Sequence, residues 1–159
     1  MNATNIRIHV AEVAQAGLIA AMAVALTDEI MQRTGFKHFL VGLQDTTQLC
    51  AGLIASGAYT AFVAREGSEL IGFAGLCESN ALYAGGTFGI IQEFYVAPHA
   101  RSSGVGAALL DAAFAHGRAK AWKRVELCTP PLPEFDRSLA FYERNGFEIT
   151  GGRKMKCLL

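Results

Sequence analysis

A chain of 159 residues with 52% hydrophobic and 18% charged residues carries enough apolar material for one soluble globular domain with a substantial core. Fourteen basic residues balance fourteen acidic ones, which excludes a global field that would draw nucleic acid or an anionic membrane surface, so any bound anion needs a local site. Cys50, Cys77, Cys128 and Cys157 form no C-x-x-C pair and have no histidine at ligand spacing; they predict no metal site and small buried apolar residues in a reducing cytoplasm.

Ile6 to Val10 alternates with Arg7 and His9 as a half-buried strand does, and a helix follows from about Ala11 to Met31. Leu18, Met22, Leu26 and Ile30 recur every four residues and give that helix one apolar stripe. The apolar run 16–26 is too short to cross a bilayer and is expected as a core helix, with no membrane partner. After "RTGFKHF", a second helix is predicted over Gln44 to Ser56, capped by Asp45, Thr46 or Thr47 and closed by Gly57. "AYTAFVARE" and "ELIGFAGLCES" are strand-like runs separated by Gly67 and Ser68, the spacing of a tight hairpin.

"NALYAGG" is a loop, and "TFGIIQEFYVA" is a strand stopped by Pro98, with Gly89 as the candidate bulge. An alanine-rich helix is predicted from about Gly104 to Ala121, then the strand "KRVELCT", the rigid connector "PPLP", and a helix from about Glu134 to Arg144 ending at Asn145-Gly146. "FEIT" and "RKMKCL" are expected to add two strands, giving a single α/β domain over 1–159 in the order βααβββαβαββ. The basic clusters at 118–124 and 153–156 read as solvated surface, the first suited to a helix C-terminus.

The chemistry concentrates at "APHARSSGVGAALLDAA", Ala97 to Ala113, where a strand passes into a helix through a glycine-containing turn. Such a turn leaves backbone N–H groups unpaired at the positive end of the helix dipole, and Gly104 and Gly106 lack the Cβ atoms that would keep a phosphate off them. Arg101 could add a fork of donors, and Ser102 or Ser103 a hydroxyl. A plain tight turn with Ser103 as helix cap accounts for the same residues. Neither a Gly-Lys-Ser/Thr nor a G-x-G-x-x-G pattern occurs.

"EFYVAPHARSSGVGAALL" resembles the acyl-CoA signature of the GNAT superfamily of N-acetyltransferases, R/Q-x-x-G-x-G/A after a strand ending in Val-x-Pro, and "SLAFYERNGFE" resembles that family's second signature. The two occur in the family's order and spacing, and the resemblance runs from about Tyr59 to Leu158. It implies a central, mostly antiparallel twisted sheet of about seven strands with helices on both faces, and two central strands splayed to admit acetyl-CoA. Backbone groups of Phe94, Tyr95 and Val96 would pair with the pantetheine arm, and the pyrophosphate would lie on Arg101, Ser102, Ser103, Gly104, Val105 and Gly106. Many relatives carry Gly and Lys or Arg after the arginine; Ser102 and Ser103 stand there and remove a positive charge. A homodimer through edge strands is a further implication.

Acyl transfer from a thioester to an amine needs a neutral amine, a polarised carbonyl and a proton for the departing thiolate. Glu93, on the cofactor strand, is the candidate base; an ion-paired or surface strand carboxylate is the alternative. His99 is titratable too, but it lies in the turn, where solvation is expected. The family carries its acid at the position of Tyr142, although Phe135, Leu139 and Tyr142 also share a helical face suited to core packing. Ser138 lies one turn before Tyr142 and could touch the cofactor or simply pack. The implied acceptor is a small-molecule amine or amino-acid-like compound, entering near "MQRTGFKHF", "YAGGT" and the hairpin before Arg153, with Asp28 and Glu29 able to attract a cation or serving as plain surface. A protein N-terminus or lysine is the other acceptor class, and a non-catalytic acyl-CoA sensor the rival of a different kind.

Overall fold

The alternating side chains of Ile6–Val10 form β1, the edge of a five-stranded sheet in the computed structural model, which describes residues 5–37, 39 and 41–159. β2 (Thr60–Glu66), β3 (Glu69–Ala81), β4 (Gly86–Val96) and β5 (Val125–Leu127) follow in chain order. Every neighbouring pair is antiparallel except β4–β5, which is parallel. The β2–β3 turn has two residues, Gly67 and Ser68, with Gly67 at φ 59, the left-handed conformation such a turn requires.

Two compact units divide the chain, Met1–Leu127 and Cys128–Leu159. The first holds the sheet with α1 (Ala16–Thr34), α2 (Leu43–Ser56) and α3 (Val105–Ala119); the second holds α4 (Asp136–Arg144). In the first unit, Ala11, Ala16, Ile19, Met22, Cys50, Tyr59, Ala61, Val63 and Phe73 form a core cluster.

Several expectations need correction. The buried stripe of α1 is Ala16, Ile19, Ala20 and Met22, while Leu18 is 57% exposed: small alanines let the helix lie close to its neighbours, so spacing among the large residues misplaces the stripe. With its leading turn the helix covers Val13–Thr34, long and apolar enough to cross a membrane by length and composition alone, yet those four residues are committed to the interior. α2 begins at Leu43 with Gly42 in the cap position, and Thr47 Oγ1 donates back to the Leu43 carbonyl rather than capping.

"FEIT" and "RKMKCL" are not strands, which leaves five strands among the described residues instead of about seven. A short alternating run becomes a strand only beside a hydrogen-bonded partner, and Gly151 and Gly152, both at positive φ, break the chain between these two. Cys50 is buried and Cys77 half-buried as expected, but Cys128 and Cys157 are exposed.

The bulge in β4 falls at Gln92, not Gly89: Gly75 pairs with Glu93 and Leu76 with Ile91, so Gln92 is the extra residue. Gly89 is required for another reason, since a Cβ there would lie 2.0 Å from Cζ3 of Trp122, whose ring packs over the strand.

Candidate active site

β5 pairs only with Gly89, Ile90 and Ile91 of β4. That junction is fastened by Gly89 N–H to the Arg124 carbonyl (3.0 Å), Lys123 N–H to the Thr87 carbonyl (2.9 Å) and the Trp122 indole to Glu78 Oε2 (2.6 Å). Beyond it β4 continues for five residues to Val96 with no β5 residue opposite. On the other side, Ala97 N–H donates to the Ile71 carbonyl, so the pairs Phe73–Tyr95 and Gly75–Glu93 are the hydrogen-bonded ones of the ladder. In the alternate pairs, Gly72–Val96 and Ala74–Phe94, the β4 N–H and C=O groups turn away from β3 toward the open edge. Of the three residues expected to offer main chain to a pantetheine arm, Phe94 and Val96 have that orientation, with the Val96 carbonyl already taken by Arg101 Nε; the main chain of Tyr95 is taken by the ladder.

From Val96 the chain makes a tight turn at Pro98–Ala100, passes Ser102 at φ 61 and Gly104 at φ 89, and enters α3 at Val105. Only glycine adopts the left-handed form without strain, which accounts for Gly104 at this entry. Among the described residues, no protein acceptor bonds the N–H groups of Gly104, Val105 and Gly106, the expected orphan donors of a helix start. They point where the helix dipole is positive. Val105 offers main chain alone, since its side chain is 1% exposed in the core. Ser103 turns its hydroxyl inward to the Ala100 carbonyl at 2.6 Å, so it is not a helix cap; Ser102 is exposed. His99 is exposed too, 3.7 Å from Glu69.

Arg101 is engaged on three sides. Its Nε donates to the Val96 carbonyl (2.9 Å), and its two terminal nitrogens grip Glu29 of α1 at 2.9 and 2.6 Å. The hydrogen bond from Arg101, ahead of all other effects, holds the Glu29 carboxyl below its ordinary range, and the same bond raises Arg101. Glu29, 72 residues away in sequence, therefore anchors the turn to α1.

With Arg101 40% and Glu29 24% exposed, solvent screens this pair, and it contributes about 1 kcal/mol. Glu29→Gln is expected to lower the thermal midpoint at pH 7 by about 2–4 °C. Because pairing depresses the folded-state pKa of Glu29, its stabilisation is present above the ordinary value of 4.5 and is lost as pH falls through the lower folded value. The melting difference between wild type and Glu29→Gln should accordingly close in strong acid, and calorimetry across pH checks this.

On the α1–α2 face of the sheet, Glu93 is half-buried and accepts a 2.6 Å hydrogen bond from the Tyr59 hydroxyl. Burial first, then the charge of Glu93, pushes the Tyr59 phenol far above the usual tyrosine range, and the Cys50 and Cys77 thiols rise for the same two reasons in the same order. Sequence reasoning missed Tyr59, Gly75 and the anchoring role of Glu29.

In the second unit, Tyr142 of α4 is buried, with the Phe141 and Phe147 rings at 5.3 and 5.6 Å in edge contacts. Burial raises its phenol above the ordinary range, so it stays protonated through neutral pH. Ser138 is half-buried one turn earlier, and Phe135 is buried at the helix start. Of the loop expected to admit the acceptor, Phe36 and Phe39 are exposed, and His38 lies outside the described residues.

A family model described as an acetyltransferase (GNAT) domain matches residues 57–149. The chain is 34% identical over 96 residues to the uncharacterized N-acetyltransferase YhfO of Bacillus subtilis (strain 168), a match spanning 60% of this chain and 63% of that protein. Among solved structures, a predicted acetyltransferase with acetyl-CoA from Clostridium acetobutylicum superposes with a TM-score of 0.78 at 15% identity, covering 96% of each chain. An aminoglycoside acetyltransferase from an uncultured soil metagenomic sample, in complex with trehalose, gives a TM-score of 0.76 at 17% identity, covering 97% of each chain. The open edge of β4, the glycine turn into α3 and the family match over 57–149 agree, and the chain belongs to the GNAT acetyltransferase family.

Proposed function

We propose that this protein is an acetyl-CoA-dependent N-acetyltransferase acting on the primary amine of a small-molecule or amino-acid-like acceptor. The observation that carries the reading is that β4 runs on past its last β5 partner, with the Val96 N–H turned away from β3, into a turn that ends at the N–H groups of Gly104 to Gly106 at the start of α3. Together they offer one strand-like edge for an amide-bearing arm and, at its end, a cradle for a diphosphate. Arg101 shapes this cradle while bound to Glu29, and Ser102, Ser103 and Val105 contribute through main chain; Ser138 is proposed as a further contact.

Acetyl-CoA, when bound, supplies a thioester carbonyl, and the C–N bond to the amine forms as the C–S bond breaks. Glu93 accepts the proton that the amine loses, and Tyr142 gives its phenolic proton to the departing sulfur. The reading includes a cytoplasmic setting and a homodimer.

The test is calorimetric titration of the purified chain with acetyl-CoA and CoA, followed by thiol release against a panel of small amines and peptides. Saturable binding with release on small amines is expected. Absence of binding sinks the reading, activity on peptides alone overturns the acceptor class, and binding without turnover leaves an acyl-CoA-binding module.

A further inference from the structure

Glu93 is gripped by a residue far from it in sequence. Tyr59, immediately before β2, is 9% exposed, and its hydroxyl donates to Glu93 Oε2 at 2.6 Å, a short hydroxyl hydrogen bond. The contact needs a gap in the sheet. Gly75 provides it: opposite Glu93 in the β3–β4 ladder, a Cβ at Gly75 would lie 1.6 Å from the Tyr59 hydroxyl and 3.0 Å from Glu93 Oε2. The bulge at Gln92 shifts the register so that Glu93 falls on the same face as Tyr59. The segment before β2 thus supplies a donor, β3 a vacancy and β4 an acid.

The titratable groups on which the Glu93 charge acts include Cys50 of α2 and Cys77 of β3, both neutral thiols at pH 7 because burial and the carboxylate raise them. From α1, Glu29 is taken up by Arg101 and acts on Tyr95, two residues further along β4. Tyr59 itself is too reluctant to ionise to compete for the charge, so it remains a donor throughout the neutral range.

We propose that Tyr59 is a positioning residue for acetyl transfer: its hydroxyl, admitted by Gly75, fixes the Glu93 carboxylate on the α1–α2 face and keeps it ionised to receive the amine proton. The inference rests on Glu93 acting as the base. Losing the donor makes the charged carboxylate less favourable, so Tyr59→Phe should raise the pH at which Glu93 titrates by about one to two units.

The experiment is a ¹³C NMR pH titration of carboxyl-labelled glutamates in the full chain, with the Glu93 signal identified by its loss in Glu93→Gln. Tyr59→Phe is expected to move the Glu93 midpoint upward by at least one unit. Kinetics of thiol release, with the best small amine from the acceptor panel, should show the acid limb of kcat/KM moving equally while KM for acetyl-CoA stays put. In a Glu93→Gln background, Tyr59→Phe should then cost nothing further. Gly75→Ala, which displaces the hydroxyl without deleting it, should reproduce the NMR shift if Tyr59→Phe does not fold. An unmoved midpoint overturns the inference, as do independent effects of the two substitutions on turnover. Undiminished turnover in Glu93→Gln, with the midpoint still moving in Tyr59→Phe, overturns the base assignment and with it the catalytic meaning of the contact.

Discussion

Glu93→Gln is expected to lower kcat/KM for acetyl transfer by about 10²–10⁴-fold at pH 7 while leaving acetyl-CoA affinity within about twofold of wild type. The size follows from the acceptor. A lysine-like amine with a pKa of about 10.4 is roughly 3.4 units from neutral at pH 7, a deficit of about 4.6 kcal/mol that a positioned base can offset in part. Glutamine keeps the shape of the side chain and an oxygen able to accept from Tyr59, so the buried face stays packed. What it loses is the capacity to take a proton. Cofactor affinity stays because the proposed contacts come from the main chain of Phe94 and Val96, which the substitution does not touch. The carboxylate works only when ionised, so wild-type activity should fall as pH drops through the Glu93 titration, and that limb should vanish in the variant. Steady-state kinetics across pH checks both; a variant with more than a third of wild-type kcat/KM overturns the base assignment.

How much of this could be read from the chain depends on the range of the interactions involved. The glycine turn at 101–106 and the hairpin at Gly67-Ser68 are local: a few consecutive residues dictate the conformation, and both appear where the sequence puts them. Glu93 was visible as a lone acid in an apolar strand. The features around it were not. Gly75 looks like any small strand residue until the β3–β4 register sets it opposite Glu93, and Tyr59 reaches the pair across 34 positions of sequence. Glycine chemistry alone suggested a bulge at Gly89, whereas the packing of Trp122 explains that residue and the ladder puts the bulge at Gln92. Arg101 shows the same limit: a motif assigns it to phosphate, but an acid on α1 takes both its terminal nitrogens. The two missing C-terminal strands fail for a related reason, because alternation specifies a face but not a partner.

Tyr142→Phe is expected to reduce kcat by about 10²-fold or more while acetyl-CoA still binds. The proposed mechanism gives the phenol a polar duty beside its apolar one, and the substitution separates them. The ring packs edge-on against Phe141 and Phe147, and phenylalanine preserves those contacts, so the fold of the second unit should survive. Only the hydroxyl is lost. A tyrosine of pKa about 10 giving its proton to a thiolate of about 8.5 works uphill by roughly 2 kcal/mol, and burial of Tyr142 steepens that slope. The same burial ensures that the proton is present at every pH where the amine is usable, so the variant should lose rate uniformly instead of shifting the profile. The chemistry predicts a dependence on the leaving group. A thioester whose thiol is more acidic needs less protonation at sulfur, so an activated acetyl donor such as acetyl-thionitrobenzoate should narrow the gap between variant and wild type. An equal defect with both donors would assign Tyr142 to packing, and turnover unaffected by the substitution would remove it from the chemistry altogether.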